Sequence, residues 1–195
     1  MRRRKRRFVL CAMITIIVSL LANTTLAYFT AEDQVHNVIT TSGVDIQIEE
    51  WQGEVGNPYP EEPVKTMPGT AVSKIATIHN LEAEAYIRAK LTVVITGEDG
   101  GVMELSPETL AGLVTPTMNG EDWLRKEGDS EWWYYNAPVA TGASTEPLFT
   151  EVLFDGPNMT NEYQNCTIEV VVSAQGVQTA NNGADVLEAA GWPAE

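Results

Sequence analysis

The sequence predicts an all-β sandwich. Roughly seven runs of the chain either alternate apolar and polar residues or are rich in β-branched residues, as half-buried strands are. Turn signals separate these runs, among them Met67-Pro68-Gly69, Asp99-Gly100 and Asp155-Gly156. There is no regular alternation of strand and helix patterns, which would indicate a parallel α/β sheet. The combination favours two antiparallel sheets packed face to face in a single domain.

The first 27 residues have the pattern of a secretory signal helix. Six basic residues at positions 2–7 precede the apolar run Phe8–Ala22, which is shorter than the roughly 20 residues of a membrane span. Thr25 and Ala27 place small residues at the −3 and −1 positions of a cleavage site before Tyr28. We therefore expect export and removal of residues 1–27. Retention of the leader as an N-terminal membrane anchor is the alternative.

Cleavage would leave a strongly acidic protein. The whole chain has 12 basic and 27 acidic residues, for a net charge of −15. Six of the basic residues lie in the leader and no acidic residue precedes Glu32, so residues 28–195 carry a net −21. Such a protein repels its own copies at long range and lacks a patch that could neutralise nucleic-acid phosphates. We expect no nucleic-acid partner, and contact with a membrane only through an uncleaved leader.

Residues 28–43 precede the predicted domain, 44–195. Tyr28 and Phe29 open this segment, and Val35, Val38 and Ile39 give it strand chemistry without clear alternation. It is therefore either a first strand or an extended arm that pairs elsewhere. The predicted strands of the domain are 44–51, 72–80, 85–95, 132–135, 148–154 and 166–175.

The two longest of these strands show the clearest alternation. In 85–95 the odd positions are apolar, whereas Arg88 and Lys90 lie on the opposite face, where we expect solvent. In 166–175 the even positions are apolar and begin with Cys166. Cys166 is the one cysteine left after cleavage, so no intramolecular disulfide can form, and we expect a buried thiol.

Helical signals are few. Ser106 is a candidate N-cap with Pro107 at the first helical position. Gly112 and Pro116 would limit this helix to about two turns. Residues 184–190 are a second short helix or a frayed end.

Four consecutive aromatic residues, Trp132, Trp133, Tyr134 and Tyr135, raise the question of a binding surface. On a strand, Trp132 and Tyr134 share one face and Trp133 and Tyr135 the other. We favour packing of both faces, because aromatic side chains readily fill cores. An exposed strip that faces a carbohydrate or a partner protein is the alternative.

Motifs of catalysis are missing from the sequence. The two histidines, His36 and His79, are far apart, and there is no His-Glu-x-x-His, Cys-x-x-Cys or Gly-x-Ser-x-Gly motif. No glycine loop suited to phosphate binding is present either. We therefore predict a protein that is not an enzyme and has no metal site and no cofactor.

A set of short motifs lies along the chain: Leu26-Ala27-Tyr28-Phe29-Thr30, Val44-Asp45-Ile46, Val72-Ser73-Lys74, His79-Asn80, Ala85–Arg88, Trp133-Tyr134-Tyr135, Glu146–Phe149 and Ala174–Asn182. Together they resemble the TasA/camelysin family of exported bacterial surface and biofilm-matrix proteins. The resemblance implies a jelly-roll sandwich, a dedicated signal peptidase as processing partner, and a location outside the cell or on its surface.

The resemblance also implies assembly into fibres, in which the segment after the cleavage site completes a sheet of the next subunit. Here the donor would be 28–43, with Tyr28, Phe29, Val35, Val38 and Ile39 as its apolar residues, and the partners would be other copies or related matrix subunits. Two alternatives remain. One is a surface adhesion module that uses the aromatic cluster. The other is a metallopeptidase, as some relatives are classed, although no zinc-ligand spacing supports it.

Overall fold

The computed structural model describes residues 29–32, 43–180 and 182–193. Two mainly antiparallel sheets confirm the all-β sandwich, one with strand order β3-β1-β10-β5-β8-β7 and the other with order β2-β4-β9-β6. The strands are β1 (Phe29–Glu32), β2 (Ile46–Trp51), β3 (Val64–Thr66), β4 (Ala71–Asn80), β5 (Ala85–Thr96), β6 (Val114–Met118), β7 (Trp123–Arg125), β8 (Trp133–Tyr135), β9 (Phe149–Phe154) and β10 (Thr167–Gln178). Within the described residues, one α-helix, α1 (Pro107–Leu113), and two 3-10 helices, Asn161–Tyr163 and Val186–Glu188, accompany them.

The six-stranded sheet is built on the antiparallel pair of β5 and β10. The two strands remain in register over twelve residues each, from Thr96 opposite Thr167 to Ala85 opposite Gln178. The alternating apolar residues of both strands face the core, as predicted, and most of them are fully buried. Packing of these β-branched side chains against the other sheet is what selects the strand conformation here.

The four-stranded sheet is organised around β4, which pairs with β2 on one side and β9 on the other. Ile78 and Phe149 are completely buried between the sheets, and Val152 is nearly so. Burial of an apolar side chain of this size contributes roughly 1.5–3 kcal/mol. The register of β4 against β9 shifts between Ser73 and Ala76, which marks a β-bulge.

The sheets approach one another very closely at Gly176 of β10. A Cβ atom at this position would lie 2.7 Å from Cγ1 of Val44 and 3.5 Å from Cγ2 of Ile46. Both neighbours are buried apolar side chains: Val44 lies just before β2, and Ile46 is its first residue. Glycine is therefore required here for space and not for an unusual backbone angle.

The predicted helix start is confirmed. Ser106 caps α1 by accepting a hydrogen bond from the backbone N–H of Thr109 at 3.2 Å, and Pro107 opens the helix. The tail forms only a single 3-10 turn within 184–190. Within the described ranges, no helix is long and apolar enough to cross a membrane.

Candidate functional site

The N-terminal strand fills a gap in the six-stranded sheet. β1 lies between β3 and β10, with Thr30 opposite Lys65 in an antiparallel pair and opposite Thr167 in a parallel pair. Among the described strands, β1 is the only partner of β3, and it covers the edge of β10 at Thr167–Glu169. We call the space between these two edges the β1 slot.

The predicted donor segment is only partly described. Phe29 begins β1 and its backbone pairs with Thr66 of β3. Tyr28, Val35, Val38 and Ile39 lie outside the described residues, as do the cleavage-site residues Thr25 and Ala27. The described part of the segment is thus a strand in this chain's own sheet, directly after the predicted cleavage site.

The aromatic residues pack on both faces of β8, as the packing interpretation predicts. Trp132 and Tyr134 are 5% and 2% exposed. Trp133 and Tyr135 are half-buried against the main core, where the ring of Tyr135 lies 5.3 Å from that of Trp123. These rings do not form an exposed strip.

Arg88 lies among these aromatic rings, so the expectation that it points into solvent was wrong. Its guanidinium carbon is 4.2 Å from the ring centroid of Trp132 and 4.8 Å from that of Trp192. Its Nη2 and Nε both donate to Oε1 of Gln175, at 2.7 and 3.0 Å. The delocalised guanidinium can stack on rings and donate in its own plane at once. The folding back of the C-terminal segment, which no local pattern encodes, brings Trp192 to this position.

A hydrogen-bonded chain continues from Arg88 through Tyr134 to Asp129. Nη1 of Arg88 donates to the Tyr134 hydroxyl at 3.2 Å, and this hydroxyl donates to Oδ2 of Asp129 at 2.7 Å. Burial raises the pKa of Tyr134, and its hydrogen bond to Asp129 adds to the increase. For Asp129, burial acts to raise the pKa, but hydrogen bonds from the Trp132 N–H, the Tyr134 hydroxyl and the Glu131 N–H outweigh it and lower the pKa.

The C-terminal segment covers this cluster from outside. Val186 and Ala189 are buried against Tyr86 and its aromatic neighbours, and the Tyr86 hydroxyl donates to the carbonyl of Gly183 at 2.7 Å. The outer face of the sheet is therefore packed here and not solvated. This arrangement is suited to structural rigidity.

A buried ion pair lies at another place in the fold. Nζ of Lys74 is 2.8 Å from Oε2 of Glu50, and both side chains are 4% exposed. The ring of Tyr59, from the loop after β2, covers the ammonium group at 4.3 Å. Desolvated pairs of this kind are costly to break, although they are weak evidence of net stabilisation.

The thiol of Cys166 is buried, as predicted, at 1% exposure. Burial raises its pKa, and the carboxylates of Asp99 and Glu162 raise it further. A thiol with a raised pKa holds little thiolate at neutral pH, so this residue is a poor nucleophile.

A serine–histidine contact joins Nδ1 of His79 and Oγ of Ser144 at 3.0 Å. No carboxylate in the described part of the chain hydrogen-bonds the ring, so the orienting third group of a hydrolytic triad is missing there. Residues 43–180 with 29–32 and 182–193 also hold no cluster of three or more metal-ligating side chains. Comparison of the chain with protein-family models, curated proteins and solved structures gives no significant match.

Proposed function

We propose that this protein is an exported structural subunit of the cell surface or of an extracellular biofilm matrix. It has a jelly-roll sandwich and assembles into fibres by donor-strand exchange. The observation on which the proposal builds is the β1 slot: the segment next to the predicted cleavage site is a short strand paired within its own sheet, so exchange requires β1 to leave this slot and enter the slot of the next copy. The resemblance of its short motifs to those of TasA-like matrix proteins supports the same function.

Exchange between copies requires no new interface. An element that fits its own sheet also fits the identical sheet of the next copy, which is the basis of domain swapping. β1 is only four residues long, and it joins strands that are distant in sequence. Removal of the leader would free its N-terminal end, so that cleavage acts as the trigger for assembly.

The packing of the aromatic cluster supports a scaffold over an adhesion module. Trp132 and Tyr134 are buried against the C-terminal segment, so they offer no flat ring surface to a glycan.

The net charge of residues 28–195 determines the conditions under which copies should assemble. At a net −21, copies repel one another at low ionic strength, and salt or acid should promote fibre growth.

Disulfide trapping tests whether β1 enters another copy. In residues 28–195 with Cys166→Ala, which lack both native cysteines, Thr30→Cys and Lys65→Cys are placed on separate chains, because these residues are opposite one another in the β1–β3 register. Assembly of the mixture under oxidation should yield a disulfide-linked pair of chains. The matched control replaces Lys65→Cys by Leu81→Cys, an exposed residue outside both strands. A bond that forms only when both cysteines are on one chain would refute exchange.

A further inference from the structure

A groove of about 620 Å³ opens between the two sheets, away from the β1 slot. Residues of β5, β6 and α1 line it, together with Trp133. The lining is mainly apolar and includes Leu91, Val93, Leu110, Val114 and Met118. Leu91 and Val93 are half-buried although they continue the core-facing positions of β5, because the sandwich is open here.

One wall of the groove is the edge of β5 at Leu91 and Val93. Among the described residues, no strand pairs with this part of the edge. β8 reaches β5 only at Arg88 and Ala89. On this side of β5, Ala85 exchanges hydrogen bonds with Val139, and the carbonyl of Ile95 accepts from Met103. Because backbone groups alternate sides along a strand, Leu91 and Val93 also direct their N–H and C=O groups to this side.

The opposite wall, β6, can contact an inserted strand but is less suited to backbone hydrogen bonding than β5. β6 is the edge strand of its sheet and pairs with β9 alone. Pro116 in its middle has no N–H to donate, which is a common protection of strand edges. An inserted strand would therefore pair with β5 and pack its apolar side chains toward β6 and α1.

Two basic residues and one acidic residue, Glu131, lie at the rim of the groove, in a chain that is acidic overall. Lys90 and Arg125 line it, and they are two of the six basic residues that follow the leader. Arg125 contacts neutral groups, namely the carbonyls of Trp132 and Ser130 and the ring of Trp133 at 4.7 Å. Nζ of Lys90 lies 3.6 Å from Oε2 of Glu131, whose side chain is 64% exposed, and 5.0 Å from the ring centroid of Trp132.

We propose that this groove binds an extended peptide segment of a partner protein in which apolar and acidic residues alternate. The segment adds to β5 beside Leu91 and Val93 by β-strand addition. Its apolar side chains enter the groove, and its acidic side chains lie on the outer face opposite Lys90, where cross-strand pairs of opposite charge are favourable. Arg125 at the rim provides a second positive charge. The site is separate from the β1 slot and does not depend on strand exchange.

The test uses a fluorescein-labelled peptide, Thr-Val-Glu-Val-Glu-Val-Thr, and its counterpart with lysine in place of glutamate. Anisotropy titrations with the full chain should show saturable binding of the acidic peptide and at least tenfold weaker binding of the basic one. Lys90→Glu and Arg125→Glu, each made alone so that the net charge changes by two, should weaken binding of the acidic peptide and strengthen binding of the basic one. Lys65→Glu, which changes an exposed lysine of β3, is the control for the change in net charge.

A second variant keeps the charge and blocks the space. Ala111→Trp on the exposed side of α1 should fill the groove and weaken binding of the acidic peptide at least tenfold, with an unchanged unfolding midpoint. The proposal is overturned if the wild-type chain binds neither peptide saturably, or if Lys65→Glu has the same effect as Lys90→Glu. Loss of self-association in the groove variants, without peptide binding by the wild type, would assign the groove to a second copy and also overturn it.

Discussion

Gly176→Ala tests the close approach of the two sheets. The added Cβ would lie 2.7 Å from Cγ1 of Val44, whereas carbon atoms pack best at roughly 3.5–4.0 Å. The contact must therefore open by about 1 Å. Val44 is 2% exposed, and Ile46 beside it is also buried, so neither side chain can swing into solvent. Overpacking of this kind costs roughly 1–3 kcal/mol.

Urea denaturation followed by tryptophan fluorescence gives the change in the free energy of unfolding. The matched control is Gly112→Ala in α1, where an added Cβ meets nothing within 4 Å. That substitution should stabilise by roughly 0.5–1 kcal/mol, because alanine favours a helix over glycine. The two alanine substitutions are therefore expected to have opposite signs.

A double-mutant cycle identifies the contact itself. Val44→Ala removes the atom that the new Cβ would strike, so Gly176→Ala should cost less in that background than in the wild type. Equal costs in both backgrounds, or a Gly176→Ala variant as stable as the wild type, would refute the packing argument at this position.

Three further substitutions probe the charged and aromatic contacts. Lys74→Met leaves the buried Glu50 carboxylate without its cation and should lower the free energy of unfolding, measured in urea, by roughly 3–5 kcal/mol. Adding Glu50→Leu should recover much of this loss. A loss below 1 kcal/mol would contradict the burial of the pair. The folded state lowers the pKa of Asp129, so this carboxylate stabilises the fold above about pH 4 and the stability is lost as the pH falls through the folded pKa. Asp129→Asn should therefore lose less stability than the wild type in thermal unfolding below pH 4, and parallel pH profiles would argue against the assignment. Trp192→Ala removes one of the rings that contact Arg88 and should lower the free energy of unfolding by roughly 1–3 kcal/mol, measured by thermal unfolding. An unchanged unfolding midpoint would mean that the C-terminal segment adds little to the stability of the fold.

Local patterns predicted the long strands because each has one buried face. β5 and β10 alternate over most of their length, so period-two reasoning places Ile87 and Ile168 in the core correctly. The start of α1 was also predictable, because its signal is local: the N-cap Ser106 and the proline at the first helical position lie next to one another in the sequence. Three of the shorter strands escaped prediction. β3 and β7 have only three residues each, and Pro116 argues against a strand in β6, although an edge strand tolerates proline.

Contacts between distant segments could not be predicted from local patterns. Arg88 resembles any charged residue on a solvated strand face until the C-terminal segment places Trp192 beside it. The pairing of Lys74 with Glu50 depends on the register of β2 against β4, which the sequence does not specify. The position of β1 between β3 and β10 likewise depends on long-range pairing.

The central claim is that residues 28–43 link one copy to the next, and assembly of two purified forms tests it most directly. Residues 28–195 are compared with residues 44–195 by light scattering and electron microscopy, at low salt, in high salt and in acid. Circular dichroism verifies that both forms keep their β structure. The account predicts that the longer form makes fibres and that the shorter form stays monomeric. Monomers of both forms under every condition, or fibres of both, would contradict it.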